Sequence, residues 1–194
     1  MLICVTNRKL CRDDFLIRIA QIAQGKPHAI LLREKDLSIT EYERLARSVR
    51  KICLDYQVPL IISQNIEIAL KMKCFSIHLT IQDLEKCKNK IKAFFRIGAS
   101  VHSVSEAKEA QQLGATYLIA GHIFPTECKK EVPPRGLSFL KEVCDSVEIP
   151  VFAIGGITKD KVKEVIGAGA KGICVMSEAM TCCKPGELTE RFRV

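Results

Sequence analysis

Aromatic side chains are scarce, at 6% of the chain, and no block of Lys and Arg is concentrated anywhere along it. A net charge of +8 therefore lacks the clustered cations and stacking rings of a nucleic-acid binder. A solvated surface and a phosphate-bearing substrate account for the charge, so no nucleic acid is expected as a partner. No apolar run approaches the ~20 residues that a bilayer span needs, so no membrane is expected either. Met1–Thr6 is apolar over too few residues and has no basic region before it, which argues against a signal peptide and for a cytoplasmic protein. The 10 cysteines form no CxxC pair and no Cys/His cluster of zinc spacing. Cys4 in LICV and Cys174 in GICV read as small core hydrophobes, and the adjacent Cys182 and Cys183 are poorly placed to bridge each other. Reduced, mostly structural thiols are expected, and no metal centre. Linkers and low-complexity segments are absent.

The 194 residues, 47% hydrophobic and 27% charged, suit one core, and a single domain over residues 1–194 is expected. Short β-rich runs alternate with longer amphipathic stretches. The runs are Leu2–Val5, Ala29–Arg33, Pro59–Ser63, Phe75–Leu79, Gly98–His102, Thr116–Gly121, Pro150–Gly156 and Gly172–Met176. Helical patterns follow over Asp13–Gln24, Thr40–Tyr56, Glu67–Lys73, Gln82–Asn89, Ser103–Leu113, Leu137–Ser146 and Thr158–Gly167, with a last helix after the final strand. Thr40 with Glu43, and Ser103 with Glu106, have capping-box spacing. AILL, PLII and VFAI do not alternate apolar with polar, as expected of parallel strands buried on both faces. Eight β/α units predict an α/β fold, a single (β/α)8 TIM barrel. An open doubly wound sheet is the alternative, because sequence does not show closure.

In such barrels the working residues sit at the C-terminal ends of the strands. AIGGIT (Ala153–Thr158) and GICVMSEA (Gly172–Ala179) end the seventh and eighth strand runs. Paired glycines before a helix let backbone N–H groups approach an anion, so Gly155, Gly156, Met176 and Ser177 are candidate phosphate contacts. A tight turn that needs glycine anyway is the plainer explanation. His78 and His102 also lie at strand ends and read as packing or orienting groups.

LREKD (Leu32–Asp36), PLIISQNIEIAL (Pro59–Leu70), IHLTIQD (Ile77–Asp83), ASVHSVSEA (Ala99–Ala107), GHIFPTECKK (Gly121–Lys130), AIGGIT and GICVMS resemble, in order, the thiamine phosphate synthase superfamily. The resemblance implies the barrel and a thiazole phosphate as small-molecule substrate. Arg33 and Lys35 match the synthase motif after the second strand, but Leu31 replaces its glutamine. Ser63 and Gln64 stand where the synthase carries Asn-Asp, and Asp83 alone matches its second metal carboxylate. One carboxylate is a poor site for a hard cation. Thr126 and Lys129 match the later phosphate grip, while Cys128 replaces a threonine and His122 a proline.

Those departures, with GHIFPTECKK and Arg135–Gly136, resemble the thiazole tautomerase branch. That branch implies an isomerase aromatising a carboxythiazole phosphate, with His122 as acid/base catalyst and no cofactor. One imidazole can serve both proton steps, since both its forms are available near neutrality. Arg33 then suits the substrate carboxylate, with an ion pair to Glu34 as the alternative. Lys35, Ser100, Lys129 and Lys130 are the remaining expected substrate contacts; the last two could equally be solvated loop charges. Two other readings compete: a thiamine phosphate synthase joining thiazole phosphate to hydroxymethylpyrimidine diphosphate with magnesium, and a non-catalytic thiazole or thiamine phosphate regulator. A homodimer is compatible with either, barrels of this size often pairing.

Overall fold

The strands β1 (Leu2–Val5), β2 (Ala29–Leu32), β3 (Leu60–Ser63) and β4 (Ser76–Leu79) come first. They continue with β5 (Arg96–Val101), β6 (Tyr117–Gly121), β7 (Val151–Ile154) and β8 (Gly172–Val175). In the computed structural model they run in sequence order around a closed parallel barrel, as expected, and the open sheet is excluded. The structure describes residues 1–129 and 131–193, and of Lys129 only the backbone. Among the described residues no helix is long and apolar enough to cross a membrane. The chain divides into two compact units.

The first unit comprises Met1–Ile77 and Val175–Arg193. β1, β2 and β3 pair in parallel, Ile3 opposite Ala29 and Ile30 opposite Leu60. LICV and AILL are buried at every position, which is why they carry no polar alternation. Helices α1 (Phe15–Gln24) and α2 (Ile39–Asp55) pack together, and their inward residues Ile19, Ile22, Tyr42, Ala46 and Val49 are buried. Each fully buried Ile or Leu of this kind contributes about 1.5–3 kcal/mol. The short helices α3 (Ile66–Lys71), α9 (Ser177–Thr181) and α10 (Leu188–Arg191) complete the unit.

The capping box of α2 is Ser38 with Glu41, not Thr40 with Glu43. The run S-I-T-E-Y-E holds two overlapping pairs at the right spacing. The upstream pair caps the helix, while Glu43 is held by Arg47 and Lys71 at 2.6 and 2.8 Å.

The second unit comprises His78–Cys174. β5 to β8 pair in parallel, Gly98 opposite Tyr117, Leu118 opposite Val151 and Phe152 opposite Gly172. Helices α4 (Ile81–Lys86), α5 (Lys88–Ile91), α6 (Val104–Gln112), α7 (Gly136–Ser146) and α8 (Val162–Gly167) follow their strands. The single helix expected over Gln82–Asn89 is two short ones that meet at Cys87. Ser103 caps α6 as expected, its hydroxyl accepting from the Glu106 N–H at 3.1 Å. The Glu106 carboxylate reaches one residue further back, to the His102 N–H, so the reciprocal half of that box differs.

Candidate active site

In the first unit, a cleft of about 270 Å³ is lined by Arg33, Glu34, Lys35, Leu37, Ser63, Gln64 and Asn65. These residues directly follow β2 and β3, the strand ends where a barrel keeps its chemistry. Tyr42 ties the two ends together. Its buried hydroxyl donates to the Leu32 carbonyl at 2.8 Å and accepts from the Ser63 N–H at 3.4 Å. Gln64 turns through a left-handed backbone at φ 63°, and Asn65 donates its side-chain amide to the Ser63 carbonyl at 3.2 Å.

Two carboxylates near the cleft are engaged by Thr6, Arg8 and Lys9. Glu34, 5% exposed, accepts from the Thr6 hydroxyl at 2.7 Å and from the Arg8 N–H at 3.1 Å. Burial pushes its carboxyl pKa up, against the Thr6 and Arg8 donors that hold it down. Asp36 is paired with Arg8 and with Lys9, the latter at 3.2 Å. The Arg33 N–H donates to the Thr6 hydroxyl oxygen at 3.0 Å, so the same threonine anchors both backbone and acid. The alternative ion pair between Arg33 and Glu34 does not form, and the half-buried Arg33 guanidinium has no ion-pair partner among the described residues. Arg33 and Lys35 against the single acid Glu34 make the lining of the cleft formally positive, which suits an anion.

The second unit carries a buried polar chain. His78 Nε2 lies 2.8 Å from the Ser100 hydroxyl, and His78 Nδ1 lies 3.2 Å from the Tyr117 hydroxyl. Gly98 makes room for it, since a Cβ there would lie 2.1 Å from the Tyr117 ring and 2.4 Å from His78 Nδ1. Asp83 belongs to the cap of α4: the Thr80 hydroxyl donates to its carboxylate at 2.7 Å. His102 donates its Nδ1–H to the Gly121 carbonyl.

His122 does not stand open at the rim of β6. It is 4% exposed, and its Nε2–H donates to the Val132 carbonyl at 3.1 Å. The Arg135 N–H returns to the His122 carbonyl at 3.0 Å, so both ends of this residue clasp the segment between them. Gly155 and Gly156 have φ of 102° and 63°. A Cβ would lie 2.2 Å from His122 Cβ at the first and 2.3 Å from the Pro125 carbonyl oxygen at the second. The close approach that demands glycine here is by the 122–125 segment of the chain itself. Met176 precedes α9 and Ser177 begins it. Lys130 and the side chain of Lys129, expected as substrate contacts, lie outside the described residues.

Sequence reasoning missed Thr6, Tyr42, Asn65 and Tyr117. Thr6 and Glu34 are 28 residues apart, and His78 and Tyr117 are 39 apart, so no local pattern marks them.

The model of a family described as thiamine monophosphate synthase matches residues 2–179. The thiamine-phosphate synthase of Pyrococcus abyssi is 35% identical over 190 residues, covering 97% of this chain and 91% of that protein. That of Clostridium acetobutylicum is 36% identical over 183 residues, covering 93% and 87%. A solved thiamine phosphate pyrophosphorylase from Pyrococcus furiosus superposes with a TM-score of 0.87 at 32% identity, covering 99% of this chain and 93% of its own. A 3-hexulose-6-phosphate synthase, at TM-score 0.73 and 15% identity, covering 99% and 98%, shares the fold alone.

These relatives overturn the expected thiazole tautomerase: proteins about one-third identical over nearly the whole chain are named as synthases. The isomerase activity and the proton-shuttle role of His122 fall with it. Of the substitutions that suggested that branch, His122 for proline is one whose side chain the structure accounts for, through its bond to the Val132 carbonyl. With matches that run from the first strand to the last, the chain belongs to the thiamine monophosphate synthase family.

Proposed function

We propose that this protein is a transferase, a thiamine-phosphate synthase, joining a thiazole phosphate to hydroxymethylpyrimidine diphosphate. The thiazole nitrogen bonds to the pyrimidine's methylene carbon, the carbon–oxygen bond breaks, and pyrophosphate leaves with the electron pair. The observation that carries this reading is the cationic cleft after β2 and β3, whose acids are turned onto Thr6, Arg8 and Lys9. A departing diphosphate accumulates negative charge, so preorganised cations there stabilise the transition state more than the ground state.

Arg33 and Lys35 are assigned to the diphosphate, and Ser63, Gln64 and Asn65 supply polar groups for the pyrimidine. Ser100 supplies a hydroxyl to a substrate oxygen. Gly155, Gly156, Met176 and Ser177 are assigned to the thiazole phosphate, chiefly through backbone N–H groups, with Lys129 and Lys130 as further cations.

Synthases of this family use magnesium. The residues here do not fit a cation site built by the protein. The synthase Asn-Asp positions hold Ser63 and Gln64, and Asp83 is engaged with Thr80. Among the described residues no group of three His, Cys, Asp or Glu could hold a metal ion. No step is therefore assigned to a metal.

The test is direct. Protein, thiazole phosphate and pyrimidine diphosphate are mixed with and without magnesium, and thiamine phosphate and pyrophosphate are measured. Both products, in equal amounts, are expected. Binding of either substrate without product under all conditions would overturn the assignment.

A further inference from the structure

Ser100 ends up beside His78 because β4 and β5 each deliver one polar residue to the interior of the second unit. His78 is 5% exposed and Tyr117 6% exposed. Both carry polar atoms into the interior, and a buried polar group needs partners to offset lost hydration. The chain Tyr117 hydroxyl–His78 Nδ1 (3.2 Å) and His78 Nε2–Ser100 hydroxyl (2.8 Å) provides them.

Two proton arrangements satisfy that chain. In one, Ser100 donates to Nε2 and Nδ1–H donates to Tyr117. In the other, Tyr117 donates to Nδ1 and Nε2–H donates to Ser100. A phenol is a stronger acid than an alcohol or a neutral imidazole N–H, and an imidazole nitrogen is a better acceptor than a phenol oxygen. The second arrangement is therefore favoured. Burial pushes the Tyr117 pKa up, so the phenol keeps its proton to donate. The oxygen of Ser100 then accepts from His78, and its own proton is left to donate elsewhere. A phosphoryl oxygen only accepts, so it requires such a donor.

Taking the synthase reading for the identity of the anion, we propose that Tyr117 and His78 are positioning residues that preset the Ser100 hydroxyl as a hydrogen-bond donor to a phosphoryl oxygen of the substrate. The geometry does not support a serine nucleophile. The outer member of the chain is a neutral phenol, whereas a nucleophile's histidine needs a carboxylate to stabilise the imidazolium it becomes.

A double-mutant cycle separates positioning from plain packing. Ser100→Ala, Tyr117→Phe, His78→Leu and His78→Gln are made singly, and the Tyr117 and His78 changes are repeated on Ser100→Ala. Each folded variant, checked by circular dichroism, is titrated calorimetrically with pyrophosphate and, separately, with inorganic phosphate. The anion that weakens identifies which substrate's phosphate Ser100 meets. Ser100→Ala is expected to weaken that anion about tenfold, and Tyr117→Phe about threefold or more.

On Ser100→Ala, the Tyr117 and His78 changes should have no further effect, and His78→Gln, whose amide can still donate to Ser100, should recover part of the His78→Leu loss. Tyr117→Phe keeps the ring's edge-on contact with Phe152, so it tests the proposal even if His78→Leu does not fold. Undiminished losses on Ser100→Ala, or unchanged binding of both anions in Ser100→Ala, would overturn the proposal. Failure of the synthase reading shows separately, as absent thiamine phosphate from the wild-type protein.

Discussion

The Thr6 hydroxyl donates to the Glu34 carboxylate at 2.7 Å and at the same time accepts the Arg33 N–H at 3.0 Å. Through this one oxygen, the end of β1 fixes the backbone on which Arg33 and Lys35 stand. The acid beside Arg33 is thereby held inward, against Thr6 and Arg8, instead of pairing with that guanidinium.

Replacing that acid should therefore disturb both stability and substrate affinity. Glu34→Gln keeps one acceptor but turns an amide N–H toward the Thr6 and Arg8 donors. A loss of about 1–3 kcal/mol in urea denaturation is expected, as for a buried group left unsatisfied. KM for the pyrimidine diphosphate should rise while that for the thiazole phosphate changes little. Equal changes in both KM values would show that Glu34 supports the fold only.

Gly98 is the position at which the buried polar chain of the second unit is most easily broken. A Cβ at 2.1 Å from the Tyr117 ring and 2.4 Å from His78 Nδ1 meets two enclosed rings, not the end of a flexible side chain. Gly98→Ala should lower the stability of the protein by about 1–3 kcal/mol through overpacking. A melting temperature equal to wild type would show that the rings have room to shift.

Asp13 grips the buried Arg18 guanidinium through two contacts, at 2.7 and 3.1 Å, while Arg18 also donates to the Cys182 carbonyl at 2.6 Å. The Arg18 hydrogen bonds hold the Asp13 carboxyl down at about 2, against an ordinary 3.8. A lowered carboxylate pKa favours the folded state when ionised, so its stabilisation is complete above the unfolded value and is lost as pH falls through the folded one. Wild type should therefore be more stable than Asp13→Asn above about pH 4, and the difference should close toward about pH 2. A constant difference across that window would contradict the ion pair. Its size should be modest, because Asp13 is exposed.

None of the 10 cysteines is in a disulfide, and their reactivity should follow exposure. Under native conditions a thiol reagent should label Cys128 and Cys183 first, since both are exposed. Cys4, Cys53 and Cys174 are buried, and burial pushes the thiols of Cys4 and Cys53 up, the latter to about 12. These three should react only after denaturation. Mass spectrometry of the labelled peptides checks the order.

Local pattern alone placed the eight strands of this protein. Runs such as AILL and VFAI, apolar at successive positions, can be satisfied only where both faces of a strand are covered, and the parallel barrel covers them. The order of motifs likewise carried the family, and the strand ends pointed to Arg33, Lys35, Ser63 and Ser100. Local pattern failed where two readings fit the same residues. Ser38 and Thr40 offered equivalent capping boxes, and only the upstream pair closes on the helix.

The remaining contacts had to come from the folded chain, because their hydrogen bonds join residues far apart in sequence. It placed Thr6 on Glu34, Tyr117 on His78 and Val132 on His122. In the last of these, the ring expected as a proton shuttle donates to a carbonyl ten residues along the chain. A side chain's type limits its chemistry, but which atoms face it determines whether that chemistry is available, and those atoms come from distant parts of the chain.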